Sequence, residues 1–197
     1  MPFSTDVNWP QGLLDIFNVS RKQNVQLGSR YYGPYDKLLN YAVVDEGSFA
    51  FFIAPQTATD ETSPRDYTVH FVAFMVVLNQ EQKPVLIAEI KDDRWANEPD
   101  MRQRADTQMR QRFDQMLPIC AIPRLYGLSL LGTSLRVYCG DKVTGEVTPH
   151  FVGRPDVDRI LPRDFLKGQW NLNILSPDGL KKVQEIVAYI KVEAAKV

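Results

Sequence analysis

The stretch that most constrains the fold is residues 83–91, which read Lys-Pro-Val-Leu-Ile-Ala-Glu-Ile-Lys. A short apolar run bounded by a proline predicts a buried β-strand. Because side chains alternate between the two faces of a strand, Glu89 and Lys91 share one face with Val85 and Ile87. Burying a carboxylate and an ammonium is costly unless they pair or bind a metal. The stretch therefore predicts a buried charge site at the end of a strand.

Composition limits the classes of function. A chain of 197 residues that is 44% hydrophobic can build one sizeable core. Its net charge of −1 provides no overall basic field, so nucleic-acid binding would need a local patch. Cys120 and Cys139 lack a metal or redox spacing, and we expect free thiols. Met1–Ser20 lacks a signal-peptide pattern and no apolar run could span a bilayer, so we expect a cytoplasmic or nuclear protein without a membrane partner.

Apolar spacing predicts an alternation of helices and strands along the chain. The predicted elements are a short helix after Pro10, a helix from Pro34, strands over 49–54, 67–78 and 83–91, a helix from a cap at Asp100 to about Leu117, strands over 124–131, 134–139 and 146–152, and a helix opened by Ser176 and Pro177. The first three strands form a meander between two helices. This order indicates an α+β, or α/β, layer sandwich.

The helix that follows the third strand is rich in arginine and glutamine. Its apolar residues recur every three or four positions and are expected to pack on the sheet; they are Met101, Ala105, Met109, Phe113 and Met116. Its arginines, expected on the other faces, are Arg102, Arg104, Arg110 and Arg112. Such arginines either form ion pairs on a solvated face, for example Asp106 with Arg110, or contact phosphate groups.

The triplet Glu89-Ile90-Lys91, placed at the end of a third strand in this order of elements, resembles the PD-(D/E)XK nuclease-like superfamily. The resemblance implies a restriction-endonuclease-like core of a helix, a three-strand meander, a second helix and a fourth strand. It also implies Mg²⁺- or Mn²⁺-dependent hydrolysis of phosphodiesters in DNA or RNA. On this basis residues 34–152 are the nuclease-like core, 1–33 an N-terminal extension, and 153–197 a loop and helix packed on the core within a single domain.

The resemblance also implies roles for individual residues. Glu89 would be a metal ligand, Ile90 would offer its backbone carbonyl, and Lys91 would be the catalytic lysine. The second metal-binding acid would be Asp66, because Pro-Arg-Asp at 64–66 is similar to the family's Pro-Asp with one extra residue.

Further candidates come from the two helices of the core that the resemblance implies. Some members add an acidic residue from the first helix, which nominates Glu46 or, less well, Asp36. On the second helix, Gln108 stands where members often have glutamine, and Arg112 lies one turn later. These two residues and Arg104 would bind the substrate. The chain as a whole also resembles a group of uncharacterised proteins from fungal genomes, a resemblance that implies no activity.

The expected register of the meander separates the two candidate metal ligands, Asp66 and Glu89. A turn centred near Glu81 pairs Glu89 with Ala73 and Lys91 with Phe71, and it leaves Asp66 about 17 Å beyond Phe71 at the rise of a strand. A bulge or a loop that curls back would be needed to bring Asp66 to Glu89.

The sequence leaves several alternatives open. Glu89 and Lys91 could form an ion pair in a plain interaction module, or the chain could be a catalytically inactive nuclease-fold protein that binds nucleic acid or a protein. Tyr31, Tyr32 and Tyr35 could stack on bases but more commonly fill a core. Whether the chain forms a homodimer is also open.

Overall fold

A computed structural model gives the fold of residues 2–22, 28–44, 49–57, 73–156 and 158–196. This described part is a mixed α+β fold with a mostly antiparallel, open sheet. Its helices are α1 (Pro2–Thr5), α2 (Gln11–Lys22), α3 (Tyr32–Val43), α4 (Pro99–Met116) and α5 (Pro177–Ala194), with 3₁₀ turns at Gly28–Tyr31 and Asp93–Ala96. Its strands are β1 (Phe51–Thr57), β2 (Ala73–Asn79), β3 (Pro84–Lys91), β4 (Arg124–Leu131), β5 (Ser134–Asp141), β6 (Val147–Thr148) and β7 (Leu172–Asn173).

The sheet has the order β1-β2-β3-β4-β5-β6, and β7 also pairs with β5. Strands β3 and β4 are parallel, and the other neighbouring pairs are antiparallel. A parallel pair needs a crossover connection, which α4 supplies. The central strand β3 is buried along its whole length, as its apolar sequence predicts.

The two faces of the sheet pack on different helices. On one face, Phe113 of α4 lies so close to Gly127 that an added Cβ there would come within 2.7 Å of the ring. Its neighbour Tyr126 points to the other face, where its ring centroid lies 5.5 Å from that of Tyr189 on α5. Helices α2, α3 and α5 contribute to the large core on that second face. The sheet is therefore the middle layer of three.

Several boundaries differ from expectation because of prolines. Strand β1 continues through Pro55 to Thr57, beyond the expected end at Ala54, because β1 is an edge strand and edge strands tolerate proline. Helix α4 begins at Pro99 with Glu98 as its N-cap residue, so the expected cap at Asp100 is wrong. Strand β6 ends before Pro149, which has no amide hydrogen to continue the ladder.

The pairing of β2 with β3 also differs from expectation. Val85 is the extra residue of a β-bulge near the start of β3. The bulge shifts the register by one residue, so Phe74 rather than Ala73 pairs with Glu89. The part of the expected second strand that precedes Ala73 lies outside the described residues.

Two further expectations, the cap of α5 and the free thiols, are confirmed. Ser176 caps α5, with its side chain accepting a hydrogen bond from the backbone N–H of Gly179. Both Cys120 and Cys139 are free thiols. Among the described helices, none has the length and apolar character that crossing a bilayer requires.

Candidate functional site

Glu89 and Lys91 lie side by side on the face of β3 that α4 covers. Their side chains are only 1% and 6% exposed, and the Lys91 Nζ is 3.0 Å from the Glu89 Oε1. The predicted sharing of one strand face is therefore confirmed. Because this pair is almost completely removed from water, its desolvation cost is large relative to that of a surface ion pair.

The Glu89 carboxylate is not fully hydrogen-bonded within the described part of the chain. Its second oxygen, Oε2, is buried and accepts no hydrogen bond from the described part of the chain. An ionised carboxylate has about four lone-pair positions, and leaving a buried acceptor unsatisfied costs about 1–3 kcal/mol. The site thus contains a buried acceptor, on the face of β3 that α4 covers, that could bind a cation.

Lys91 lies in an environment that disfavours its charge. Burial lowers the pKa of its ammonium, the neighbouring Glu89 carboxylate partly opposes that effect, and the guanidiniums of Arg104 and Arg112 lower the pKa further. The net direction is downward.

Helix α4 presents three of the expected substrate-binding residues along one stripe. Arg104, Gln108 and Arg112 are separated by four residues each, so they lie above one another on the helix. The Arg112 Cζ lies 4.1 Å from the centroid of Phe74, the residue that pairs with Glu89. The Gln108 Oε1 and the Arg112 Nε are buried and have no hydrogen-bond partner among the described residues. The structure therefore brings this stripe to the Glu89–Lys91 pair.

The other arginines of α4 have structural partners. Arg102 was expected on a solvated face but is 3% exposed, because it donates hydrogen bonds to the carbonyls of Ala96, Arg163 and Phe165 at 2.7–2.9 Å. Arg110 pairs with Asp106 at 2.9 Å, which confirms the expected ion pair.

Of the expected acids other than Glu89, only Asp36 is among the described residues. Asp66 and Glu46 lie outside the described residues. Asp36 accepts a hydrogen bond from Asn40 on α3, which belongs to the opposite layer. Within the described ranges, no three His, Cys, Asp or Glu residues cluster as a metal-binding group.

The acids that follow β3 do not pair with Lys91. Asp92 is buried and lies 3.1 Å from Arg30, because strand alternation turns it away from Lys91. Asp93 accepts a hydrogen bond of 2.6 Å from the Tyr31 hydroxyl. Burial first, and this bond second, raise the pKa of Tyr31 to about 12. Tyr31 and Tyr35 are completely buried, so both fill the core.

Sequence reasoning missed the aromatic residues of the site. The Trp95 ring centroid lies 5.0 Å from the Lys91 Nζ and 6.0 Å from the Arg104 Cζ. Trp170 donates a hydrogen bond of 3.1 Å to Ser129, the register partner of Glu89 on β4. No helical or strand period connects Trp95 to Lys91, because β3 ends at Lys91 and a 3₁₀ turn carries Trp95, and the Ser129 contact depends on the parallel register.

The donor set fits a hard divalent cation in part. Glu89 provides one buried carboxylate oxygen of the kind that Mg²⁺ prefers, and Mg²⁺ commonly keeps several waters beside one or two carboxylates. Comparison of the chain with protein-family models, curated proteins and solved structures gives no match. The function must therefore be inferred from the chemistry of the site itself.

Proposed function

We propose that the end of β3 is the centre of a Mg²⁺- or Mn²⁺-dependent phosphodiesterase of the PD-(D/E)XK nuclease type, acting on DNA or RNA. The observation that carries the proposal is the buried Glu89 carboxylate with an oxygen that accepts no hydrogen bond from the described residues. A buried charge is retained at a cost, and such a cost is typical of functional sites.

The arrangement of elements supports the proposal. The chain runs from α3 through the antiparallel strands β1, β2 and β3 to α4, and then to β4, which is parallel to β3. This is the order that a restriction-endonuclease-like core would have. Glu89 and Lys91 lie at the end of the third strand of that order, beside the parallel neighbour.

The residues of the site would have separate roles in metal binding and in hydrolysis. Glu89, the carbonyl of Ile90 and Asp66 would hold the metal, with Glu46 as a further candidate ligand. A metal bound there would polarise the phosphate and lower the pKa of a bound water. Lys91 would donate hydrogen bonds from its Nζ to the attacking water or to a phosphate oxygen.

The α4 stripe would position the substrate. The guanidiniums of Arg104 and Arg112 supply positive charge next to Lys91, whose own charge is balanced by Glu89. Gln108 lies between these arginines with a buried acceptor, and its amide can also donate to a phosphate oxygen. Positioning and charge stabilisation together supply most of the rate in phosphoryl chemistry.

A second candidate function is a catalytically inactive nuclease-fold protein that binds nucleic acid or a protein partner. The observation that favours it is the direct contact of Lys91 with Glu89 in a site almost closed to solvent. In that case Lys91 would permanently neutralise the carboxylate, and the α4 arginines would serve binding alone.

Cleavage assays distinguish these candidates. We expect the protein to cleave a panel of single- and double-stranded DNA and RNA in Mg²⁺ or Mn²⁺, and Glu89→Gln and Lys91→Ala to reduce the rate by about 100-fold or more. Glu81→Gln, at an exposed position in the β2–β3 turn, is the matched control and should cleave normally. Absence of cleavage by folded wild-type protein with both metals would contradict the enzyme and favour the binding candidate.

A further inference from the structure

Trp95 differs from the other two tryptophans of the chain. Trp9 and Trp170 are 4% and 8% exposed, and both donate a hydrogen bond from the indole N–H. Trp95 is partly exposed in the 3₁₀ turn that follows β3. Trp95 packs in part against a second core cluster that includes Ala105, Leu131 and Trp170, and the exposed part of its indole is available to a ligand.

Arg104 beside it is also unusual. Its side chain is exposed, and it forms no ion pair with a carboxylate of the described residues, although Asp100 lies one helical turn earlier. Its guanidinium lies 6.0 Å from the Trp95 ring centroid instead. An exposed cation without a carboxylate partner among the described residues, next to a partly exposed indole, combines affinity for an anion with affinity for a flat aromatic group.

We infer that Trp95 and Arg104 bind one unpaired nucleotide at the rim of the Glu89–Lys91 site, with the base on the indole and the phosphate on the guanidinium. The inference rests on the proposed function and gives it a substrate class, single-stranded nucleic acid. Base stacking on an aromatic side chain beside a basic groove is how proteins bind single strands without strong sequence preference.

The free-energy cost of unstacking a base disfavours a fully paired duplex as the ligand. The bases of a duplex are stacked on their neighbours, and exposing one for Trp95 would cost a few kcal/mol of unstacking. Arg104 is the exposed residue of the α4 stripe, so a strand with a phosphate there would follow α4 at the rim of the site. The rim site therefore selects a strand whose bases are free.

Binding can be measured without cleavage. In excess chelator, we expect oligo(dT) to quench the tryptophan fluorescence of the wild-type protein, because Trp95 is the partly exposed one of the three tryptophans. Fluorescence anisotropy of a labelled oligonucleotide gives the affinity independently. A blunt duplex of the same length and thymidine monophosphate are each expected to bind at least about tenfold more weakly.

Matched variants assign the effect to the two residues. Trp95→Leu should weaken oligo(dT) binding about tenfold, whereas Trp95→Phe should keep most of the affinity and lose the quenching. Arg104→Gln should weaken binding and reduce the salt dependence of binding by about one phosphate contact. The control is Lys181→Gln, at an exposed position of α5 in the opposite layer, which should change neither the affinity nor its salt dependence. Circular dichroism checks that each variant is folded.

Several results would overturn the inference. Wild-type affinity in folded Trp95→Leu and Arg104→Gln would exclude the rim site, and equal binding of the duplex or of the mononucleotide would exclude single-strand selection. These outcomes are separate from the failure of the proposed function. A protein that binds oligo(dT) through Trp95 but cleaves nothing would retain the rim site and lose only the nuclease activity.

Discussion

Replacement of Lys91 by methionine is expected to lower the free energy of unfolding by about 3–5 kcal/mol, because it leaves a buried carboxylate without its cation. Glu89 is 1% exposed, and its Oε2 already accepts no hydrogen bond within the described ranges. Urea unfolding followed by circular dichroism measures the effect. The control is Lys83→Met, at an exposed position just before β3, which should change stability by no more than about 0.5 kcal/mol.

The double variant Glu89→Leu with Lys91→Met completes this prediction. A buried ion pair replaced by apolar residues of similar volume is commonly neutral or stabilising by about 1–4 kcal/mol. We therefore expect the double variant to be at least as stable as the wild type. A double variant as unstable as the single one would mean that the pair exists for stability, which would remove the main reason for assigning it a function.

Replacement of Asp106 by alanine is expected to destabilise the protein by a similar amount, about 3–5 kcal/mol. Asp106 accepts hydrogen bonds from Arg110, Arg136 and Tyr138 at 2.7–2.9 Å beneath α4. Arg136 is only 4% exposed, so without Asp106 its charge would be buried and unpaired. Burial and the Asp106 charge both raise the pKa of Tyr138 well above its usual value, so this hydroxyl is a neutral donor that would also lose its acceptor.

Asp114→Ala provides the matched control for Asp106. It removes the same group from an exposed position on the same helix and should change stability by no more than about 0.5 kcal/mol. Thermal and urea unfolding of both variants would check the difference. Equal stability of the two variants would show that the Asp106 network does not hold α4 on the sheet.

Local patterns were sufficient to predict part of the site and one structural ion pair of α4. Strand alternation placed Glu89 and Lys91 on one face, and the four-residue spacing paired Asp106 with Arg110. Both inferences depend only on the period of a strand or a helix, which a short window of sequence contains.

Other features depended on partners that are distant in sequence. Arg102 has the same local pattern as an exposed helical arginine, but the carbonyls of Arg163 and Phe165 that bury it lie about sixty residues later. The bulge at Val85 is a property of how two strands fit together, so turn counting gave a register that was wrong by one. The neighbours of Glu89 on β4 followed from a parallel register that no local pattern specifies.

The central claim is that Glu89 is a divalent-metal ligand, and metal binding tests it most directly. Isothermal titration of the wild-type protein with Mn²⁺ should show a saturable site, and folded Glu89→Gln should lose it, because an uncharged amide is a much weaker ligand for a hard cation. Glu81→Gln, in the exposed turn before β3, should keep the site. Equal Mn²⁺ binding by wild type and Glu89→Gln, or no binding by either, would contradict the claim and leave Glu89 as the buried partner of Lys91.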